Sequence, residues 1–152
     1  MTDFELGWTA GILDGEGHVT LLHRRRDSSW RAVVAVNNTD PAMIMRLCQL
    51  WDGRMNLIAS DRYRPGRKPI HRWTVESQRA LRVLDAVMPH LVTKRQVAEL
   101  VIAFQRRLDS REGRLFFRRN AGRFIGSHLT PQEREVRSAM VQQVRLLNRR
   151  GV

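Results

Sequence analysis

The sequence predicts an α+β domain in which helices cover one face of a curved antiparallel sheet. Three observations lead there. Apolar residues recur at helical spacing in several separate segments. Between these segments lie two pairs of stretches that alternate apolar and polar residues, as half-buried strands do. The strands of each pair are joined by polar connections, so the order reads helix, hairpin, helix, hairpin, helix, helix and a C-terminal helix. Two hairpins interleaved with helices leave the opposite face of the sheet open to a ligand. At 152 residues and 42% apolar composition the chain fits one domain, 1–152. Its core is expected over about 3–108 and a helical extension over about 109–152.

The elements follow in order. Leu6, Ala10 and Leu13 recur at helical spacing between Asp3 and Asp14, with Thr2 or Asp3 placed to cap that helix. Gly17 to Arg26 alternates, with Val19 and Leu21 on one face and Thr20, Leu22 and Arg24 on the other. Asp27-Ser28-Ser29 is a turn, and Trp30 to Asn38 returns as a second strand. Trp30, Ala32, Val34 and Val36 share one side of it; Arg31, Val33, Ala35 and Asn37 share the other. Asp40-Pro41 is a helix start, with a capping carboxylate followed by proline in the first turn, and Asp52-Gly53 ends that helix after Trp51. Arg54 to Ser60 and Ile70 to Glu76 form the second hairpin around a polar loop, 61–69. Ser77 is placed to cap a helix reaching Met88, with Leu81, Leu84 and Met88 on its apolar face, and Pro89 ends it. A further helix from Thr93 buries Val97, Leu100, Val101, Phe104 and Leu108. Residues 109–129, rich in arginine and glycine, read as irregular or partly helical. Thr130-Pro131-Gln132-Glu133 is a capping-box signature that opens a last helix to about Asn148.

Charge narrows the partner. The chain carries 27 Lys+Arg against 15 Asp+Glu, a formal net charge of +12. Only Lys68 and Lys94 are lysines, so arginine supplies nearly all the positive charge. Its planar donor fork matches phosphate oxygens and guanine edges in a way a lysine point charge does not. Nucleic acid is therefore the expected polyanion. No apolar run reaches the roughly 18–20 residues of a membrane span, and the first residues lack the pattern of a secretory signal. Cys48 is the single cysteine, which excludes an internal disulfide and a cysteine-rich zinc site. A soluble intracellular protein without membrane contact is expected.

The stretch Thr9-Ala10-Gly11-Ile12-Leu13-Asp14-Gly15-Glu16-Gly17 carries the most chemical information. Gly7, Ala10 and Gly11 form a strip without bulk on a short helix, where each glycine costs about 1 kcal/mol relative to alanine. Close approach of another helix would justify that cost. Asp14 and Glu16 crowd the helix C-terminus, where the macrodipole disfavours carboxylates. A hard cation bound there would resolve the conflict, since carboxylate and carbonyl oxygens suit a divalent ion. The bland alternative is an ordinary Asp-Gly turn with a glycine C-cap. It does not account for the glycine strip, the basic chain and the basic hairpin together.

Thr9 to Gly17 resembles the signature of LAGLIDADG homing endonucleases in its DGEG form, and the element order matches that family's αββαββα core. The resemblance covers most of the chain, and its length is similar to the single-motif class, whose members act as homodimers. It implies an intron-encoded, mobile-element type of enzyme: a site-specific endonuclease that hydrolyses both strands of a long pseudo-palindromic double-stranded DNA target. It implies products with 5′-phosphate and 3′-hydroxyl ends and short 3′ overhangs. The implied cofactor is Mg²⁺, with Mn²⁺ substituting and Ca²⁺ supporting binding without cleavage. Carried over by motif, Glu16 is the metal-ligating acid, and Gly15 brings its backbone carbonyl to the metal. Asn38 is a polar residue orienting waters at the scissile phosphate, and Lys94 supports the water network or the developing charge. Gly7, Ala10, Gly11 and Asp14 fall at the implied dimer interface. The DNA-reading face comprises Thr20, Leu22, Arg24, Arg26, Arg31, Val33, Ala35 and Arg72. The signature departs from the family by Thr9 in place of leucine and by Glu in place of Asp at position 16.

Lys94 also stands out without the resemblance, as one of two lysines and at a predicted helix N-terminus where a cation is disfavoured. Asn38 equally fits a turn residue ahead of Asp40-Pro41. The tryptophans fall at apolar-pattern positions and read as core, and the five histidines lack metal-ligand spacing. Two other functions remain open. One is a non-cleaving binder on the same fold, either an intron RNA maturase or a DNA-binding regulator. The other is a general arginine-rich RNA-binding protein in which DGEG is accidental.

Overall fold

The computed structural model describes residues 1–24, 29–59, 66, 68–110, 114–118 and 124–150. Helix α1 (Asp3–Glu16) begins at a capping box: Thr2 Oγ1 accepts the Glu5 N–H at 3.3 Å, and the Glu5 carboxylate accepts the Thr2 N–H at 2.9 Å. It runs two residues beyond Asp14, so both acids of the signature lie in its last turn. Strands β1 (Gly17–Arg24) and β2 (Ser29–Asn38) form the first hairpin. Helix α2 (Pro41–Trp51) starts at Asp40, whose Oδ1 accepts the Ala42 N–H at 2.8 Å. Strands β3 (Arg54–Ala59) and β4 (Ile70–Glu76) form the second hairpin. Helix α3 (Gln78–Val87) leads through a 3₁₀ turn, Met88–His90, to helix α4 (Arg95–Ser110).

The four strands pair antiparallel in the order β1-β2-β4-β3 as a curved sheet. The register places Val19, Leu21, Ala32, Val34, Val36, Trp73 and Val75 on one side, where they meet the buried faces of the helices. Trp73 is fully buried and its Nε1 donates to the Asp52 carbonyl at 2.6 Å. That contact fixes the turn entering β3. Gly53 sits at φ 106°, and a Cβ there would lie 2.6 Å from Trp73 Nε1, so both conformation and space require glycine. Thr9 is also fully buried. Its hydroxyl donates to the Glu5 carbonyl at 2.8 Å and accepts the Trp51 indole N–H at 3.0 Å, tying α1 to α2. A leucine at position 9 would leave that indole without its acceptor, a local reason for this departure from the signature.

Three expectations are corrected. Ser77 makes no side-chain cap; it sits at φ 53° and its N–H donates to the Ala32 carbonyl at 2.8 Å, joining α3 to the sheet. The buried face of α3 is Ala80, Val83, Leu84 and Val87, with Leu81 and Met88 at its margins. Of residues 109–129, Asp109 and Ser110 end α4, and the rest of those described are extended. Strands β5 (Arg114–Arg118) and β6 (Phe124–Leu129) pair as a separate two-stranded ribbon before helix α5 (Pro131–Arg150). The arginines and glycine had masked a phenylalanine-rich alternation compatible with a hairpin. The extension therefore holds one hairpin and one helix.

The Glu133 N–H donates to Thr130 Oγ1 at 3.2 Å, as a capping box requires. The Glu133 carboxylate instead binds Arg107 Nη2 and Arg137 Nε, each at 2.6 Å. This buried acid anchors α5 on α4. Its two guanidinium partners hold its pKa below the ordinary value against the opposing effect of burial. Among the described residues no helix is long and apolar enough to cross a membrane.

Candidate nucleic-acid interface and catalytic corner

Strand alternation sorts the second face of the sheet into one surface. His18, Thr20 and Leu22 of β1 lie across from Ala35, Val33 and Arg31 of β2. Arg72, Thr74 and Glu76 of β4 follow, then Arg54 and Asn56 of β3. This surface bounds an open groove of about 810 Å³ floored by Val33 and Ala35. Of the predicted reading face, Thr20, Leu22, Val33, Ala35 and Arg72 line it directly. Arg31 shares its face but pairs with Glu76 at 3.0 Å. Arg24 ends β1, pairing with Ser29 through the backbone, and its side chain lies outside the described residues, as does the whole of Arg26. Arg54, Asn56 and Arg79 also line the groove, although sequence reading did not single them out. The parity of β3 held the signal for Arg54 and Asn56, once its register against β4 is known.

Two cations of the open face lack full satisfaction from the protein. Buried Nε atoms of Arg72 and Arg31 find no acceptor among the described residues. A buried donor without an acceptor is costly, and a phosphate or base acceptor on this face would remove that cost.

At one end of the groove the last turn of α1 meets the start of α4. The two signature acids separate here. Asp14 turns inward: its carboxylate accepts the Val92 N–H at 2.8 Å, the Thr93 hydroxyl at 2.9 Å and the Lys94 N–H at 2.9 Å. Lys94 Nζ donates to the Asp14 backbone carbonyl at 2.6 Å. The cation that relieves Asp14 at the helix end is thus a lysine ammonium together with the N-terminal amides of α4. Burial works to raise the Asp14 pKa, but the Val92, Lys94 and Thr93 donors outweigh it and hold the carboxyl below its ordinary value.

Glu16 remains exposed and forms no ion pair within 4 Å among the described residues. It is close enough to Lys94 to act on it electrostatically. Partial burial lowers the Lys94 pKa, while Asp14 and Glu16 oppose that shift. His18, two residues beyond Glu16, is lowered by burial and then by the Arg72 and Lys94 charges. Glu16, His18, Arg72 and Lys94 therefore share one corner. Among the described residues no group of three or more His, Cys, Asp or Glu forms a cation cage. One exposed carboxylate with the Gly15 carbonyl nearby suits a cation of the Mg²⁺ kind, which keeps waters and phosphate oxygens as ligands.

The structure moves two assignments. Asn38 falls on the helix-covered side by parity, and its Oδ1 accepts the Asp40 N–H at 2.8 Å, a turn role. Its neighbour Asn37 is exposed, pairs across from Arg72 and has the parity of the open face, so it is the better-placed polar side chain. Ala10 is wholly buried in the chain's own core and cannot line an outer strip. The exposed side of α1 instead carries Phe4, Gly7, Gly11 and Gly15, which helical spacing aligns. A Cβ at any of these glycines would meet nothing within 4 Å. Asp14, also assigned to an interface, is occupied by its bonds to the start of α4.

The fold is that of LAGLIDADG homing endonucleases. The homing endonuclease I-CvuI, in complex with its target in the presence of calcium, superposes with TM-score 0.67 at 15% identity, over 95% of this chain and 82% of that one. The archaeal intron-encoded homing endonuclease I-Vdi141I, complexed with DNA, gives TM-score 0.71 at 13% identity, over 95% of this chain and 84% of that one. The LAGLIDADG meganuclease I-AabMI, bound to uncleaved DNA, gives TM-score 0.60 at 14% identity, covering 90% of this chain but 43% of that chain. No family model matches the chain, and no curated protein sequence matches it.

Proposed function

We propose that this chain, which has the LAGLIDADG homing-endonuclease fold, binds double-stranded DNA along its open sheet face and cuts it as a site-specific, Mg²⁺-dependent endonuclease. The observation that supports this reading most is the corner itself: an exposed Glu16 ends α1 beside Lys94, at the head of a groove with Arg72. The groove supplies alternating side chains at strand spacing, the pattern needed to read base edges in the major groove. Calcium- and magnesium-containing structures of I-CvuI agree with divalent-metal use on this fold.

Glu16 and the Gly15 carbonyl would hold the cation. When bound, it would supply Lewis-acid stabilisation of charge on the reacting phosphate. Lys94 would place its ammonium where negative charge develops, with Asp14 fixing its backbone and tip. Arg72 would hold the DNA backbone beside the cut. One protomer offers one such corner, so cutting both strands calls for a second copy across the Phe4, Gly7, Gly11 and Gly15 side of α1, an isologous two-fold contact.

The test is Glu16→Gln, which keeps shape and removes charge. A target selected from a randomised duplex library with the wild-type protein in Mg²⁺ should be cut by wild type and left intact by the variant, while both bind it in Ca²⁺. Cleavage by the variant at the wild-type rate would refute the assignment.

A further inference from the structure

We infer that Glu76 is a specificity-determining residue of the open face: its carboxylate accepts the major-groove amino N–H of one cytosine, with Arg31 as the positioning residue that holds it there. This rests on the DNA-binding reading above and deepens it, because that reading assigns no base to any side chain.

The charge of its surroundings comes first. Among the described residues that line the groove, Arg54, Arg72 and Arg79 are cations and Glu76 alone is an acid. A carboxylate on a face that receives a polyanion repels phosphate, and like-charge juxtaposition at an interface is costly. It weakens binding to every sequence unless a base supplies a donor. The sign of the charge therefore directs Glu76 to a base edge and away from the DNA backbone.

The ion pair gives the orientation. Arg31 Nη1 lies 3.0 Å from Glu76 Oε2, and the two side chains are 19% and 41% exposed. The acid is thus the outer member of the pair, and it lines the groove where Arg31 does not. An ionised carboxylate has about four lone-pair sites, so one guanidinium leaves room for a base donor.

The backbone beneath is fixed. Glu76 is the last residue of β4 and pairs with Val33 of β2. The next N–H, that of Ser77, donates to the Ala32 carbonyl at 2.8 Å, and the Ala32 N–H donates to Gln105 Oε1 of α4 at 3.0 Å. Two strands and a helix therefore hold the point from which the acid projects, as a preorganised contact requires.

The base follows from the groove code. Cytosine presents its N4 amino donor with no acceptor of its own beside it in the major groove. Adenine presents N6 next to the N7 acceptor, and guanine and thymine present acceptors. A carboxylate is drawn to the first, meets an opposing lone pair at the second and is repelled by the others.

The experiment begins with binding selections from a randomised duplex library in Ca²⁺, using full-length wild type, Glu76→Gln and Arg31→Met. Wild type should select cytosine at one position where Glu76→Gln discriminates at least about fivefold less, the lower end for a good base contact. Arg31→Met should lose preference at that same position. The wild-type duplex is then remade with N4-methylcytosine there, which puts a methyl in place of the major-groove N–H and keeps the base pair. A third duplex carries 7-deazaguanine opposite, which removes N7. Anisotropy across a salt series should show wild type binding the N4-methyl duplex at least about fivefold more weakly and tolerating 7-deazaguanine. That ratio should persist as salt rises, because the counterion term is common to all three duplexes. Glu76→Ala, which leaves room for the methyl, should bind the plain and N4-methyl duplexes alike. Circular dichroism melts confirm that the variants fold. Selections that diverge at no position, or wild-type sensitivity to 7-deazaguanine with none to N4-methylcytosine, would overturn the inference and leave the DNA-binding reading intact. Failure of wild type to select any duplex would remove both.

Discussion

Lys94 and Asp14 hold each other twice: Lys94 Nζ donates to the Asp14 carbonyl at 2.6 Å, and Asp14 Oδ1 accepts the Lys94 backbone N–H at 2.9 Å. A C-terminal carbonyl receives a cation and a set of N-terminal amides receives a carboxylate, so both helix ends gain from their dipoles. The reciprocal lock sets where α1 ends relative to α4. It thereby positions Glu16, two residues farther on.

Asp14→Asn should loosen that lock in a pH-dependent way. The folded pKa of Asp14 is lowered, so its stabilisation is fully present above the ordinary aspartate value of about 3.9 and is lost as pH falls through the lower folded value. At neutral pH the variant should be less stable by about 1–2 kcal/mol, the lower part of the range for charge-assisted bonds because the site is partly exposed. Urea unfolding should show the gap from wild type closing as pH falls below the ordinary aspartate value of about 3.9. A gap of constant size would show that the carboxylate's charge does not matter.

Lys94→Met keeps length and removes the ammonium. Cleavage should fall at least about 100-fold, in the range of a positioned proton-handling group, with DNA affinity in Ca²⁺ little changed. Burial lowers the Lys94 pKa, so wild-type cleavage should decline on the alkaline side earlier than an ordinary lysine would dictate. Lys94→Arg should abolish that alkaline limb at whatever rate it retains. Identical pH–rate profiles for wild type and Lys94→Arg would exclude Lys94 as its source.

Arg72 and Arg31 should behave differently. Both Nε atoms lack an acceptor among the described residues, but Glu76 orients the Arg31 Nη1 end at 3.0 Å, whereas no ion pair among the described residues orients Arg72. Arg72→Ala should weaken binding to all sequences alike and flatten the salt slope by about 0.9. Arg31→Ala should relax preference at one base position by about 1–3 kcal/mol. A selection experiment with each variant, read beside the salt series, separates these effects; the opposite assignment would mean that Arg72 is the reader.

Gly11→Leu should separate the paired protomers. A Cβ at Gly11 meets nothing within the chain, so the monomer should keep its melting temperature. Sedimentation at micromolar concentration should show wild type as a dimer on DNA and the variant as a monomer, or as a dimer that cuts poorly. A wild-type protein monomeric on its DNA would defeat the two-fold model.

The local pattern of the sequence determined the helix and hairpin order, the open face and the signature, because periodicity and capping are properties of neighbouring residues. Arg31, Val33 and Ala35 alternate against Ala32 and Val34 whatever lies around them. Arginine-rich composition hid β5 and β6, since Phe116, Phe117 and Phe124 stand among residues that also suit a loop. The tertiary structure decided what pairs at long range. Asp14 and Glu16 are alike in sequence, yet only the docking of α4, some 80 residues on, turns one into a helix clamp and leaves the other exposed. Ala10 and Gly11 are adjacent, but the packing direction of α1 buries the first and exposes the second. One-residue parity likewise gave Asn37 the open face and Asn38 the turn, because the register against β4 is set by the whole sheet.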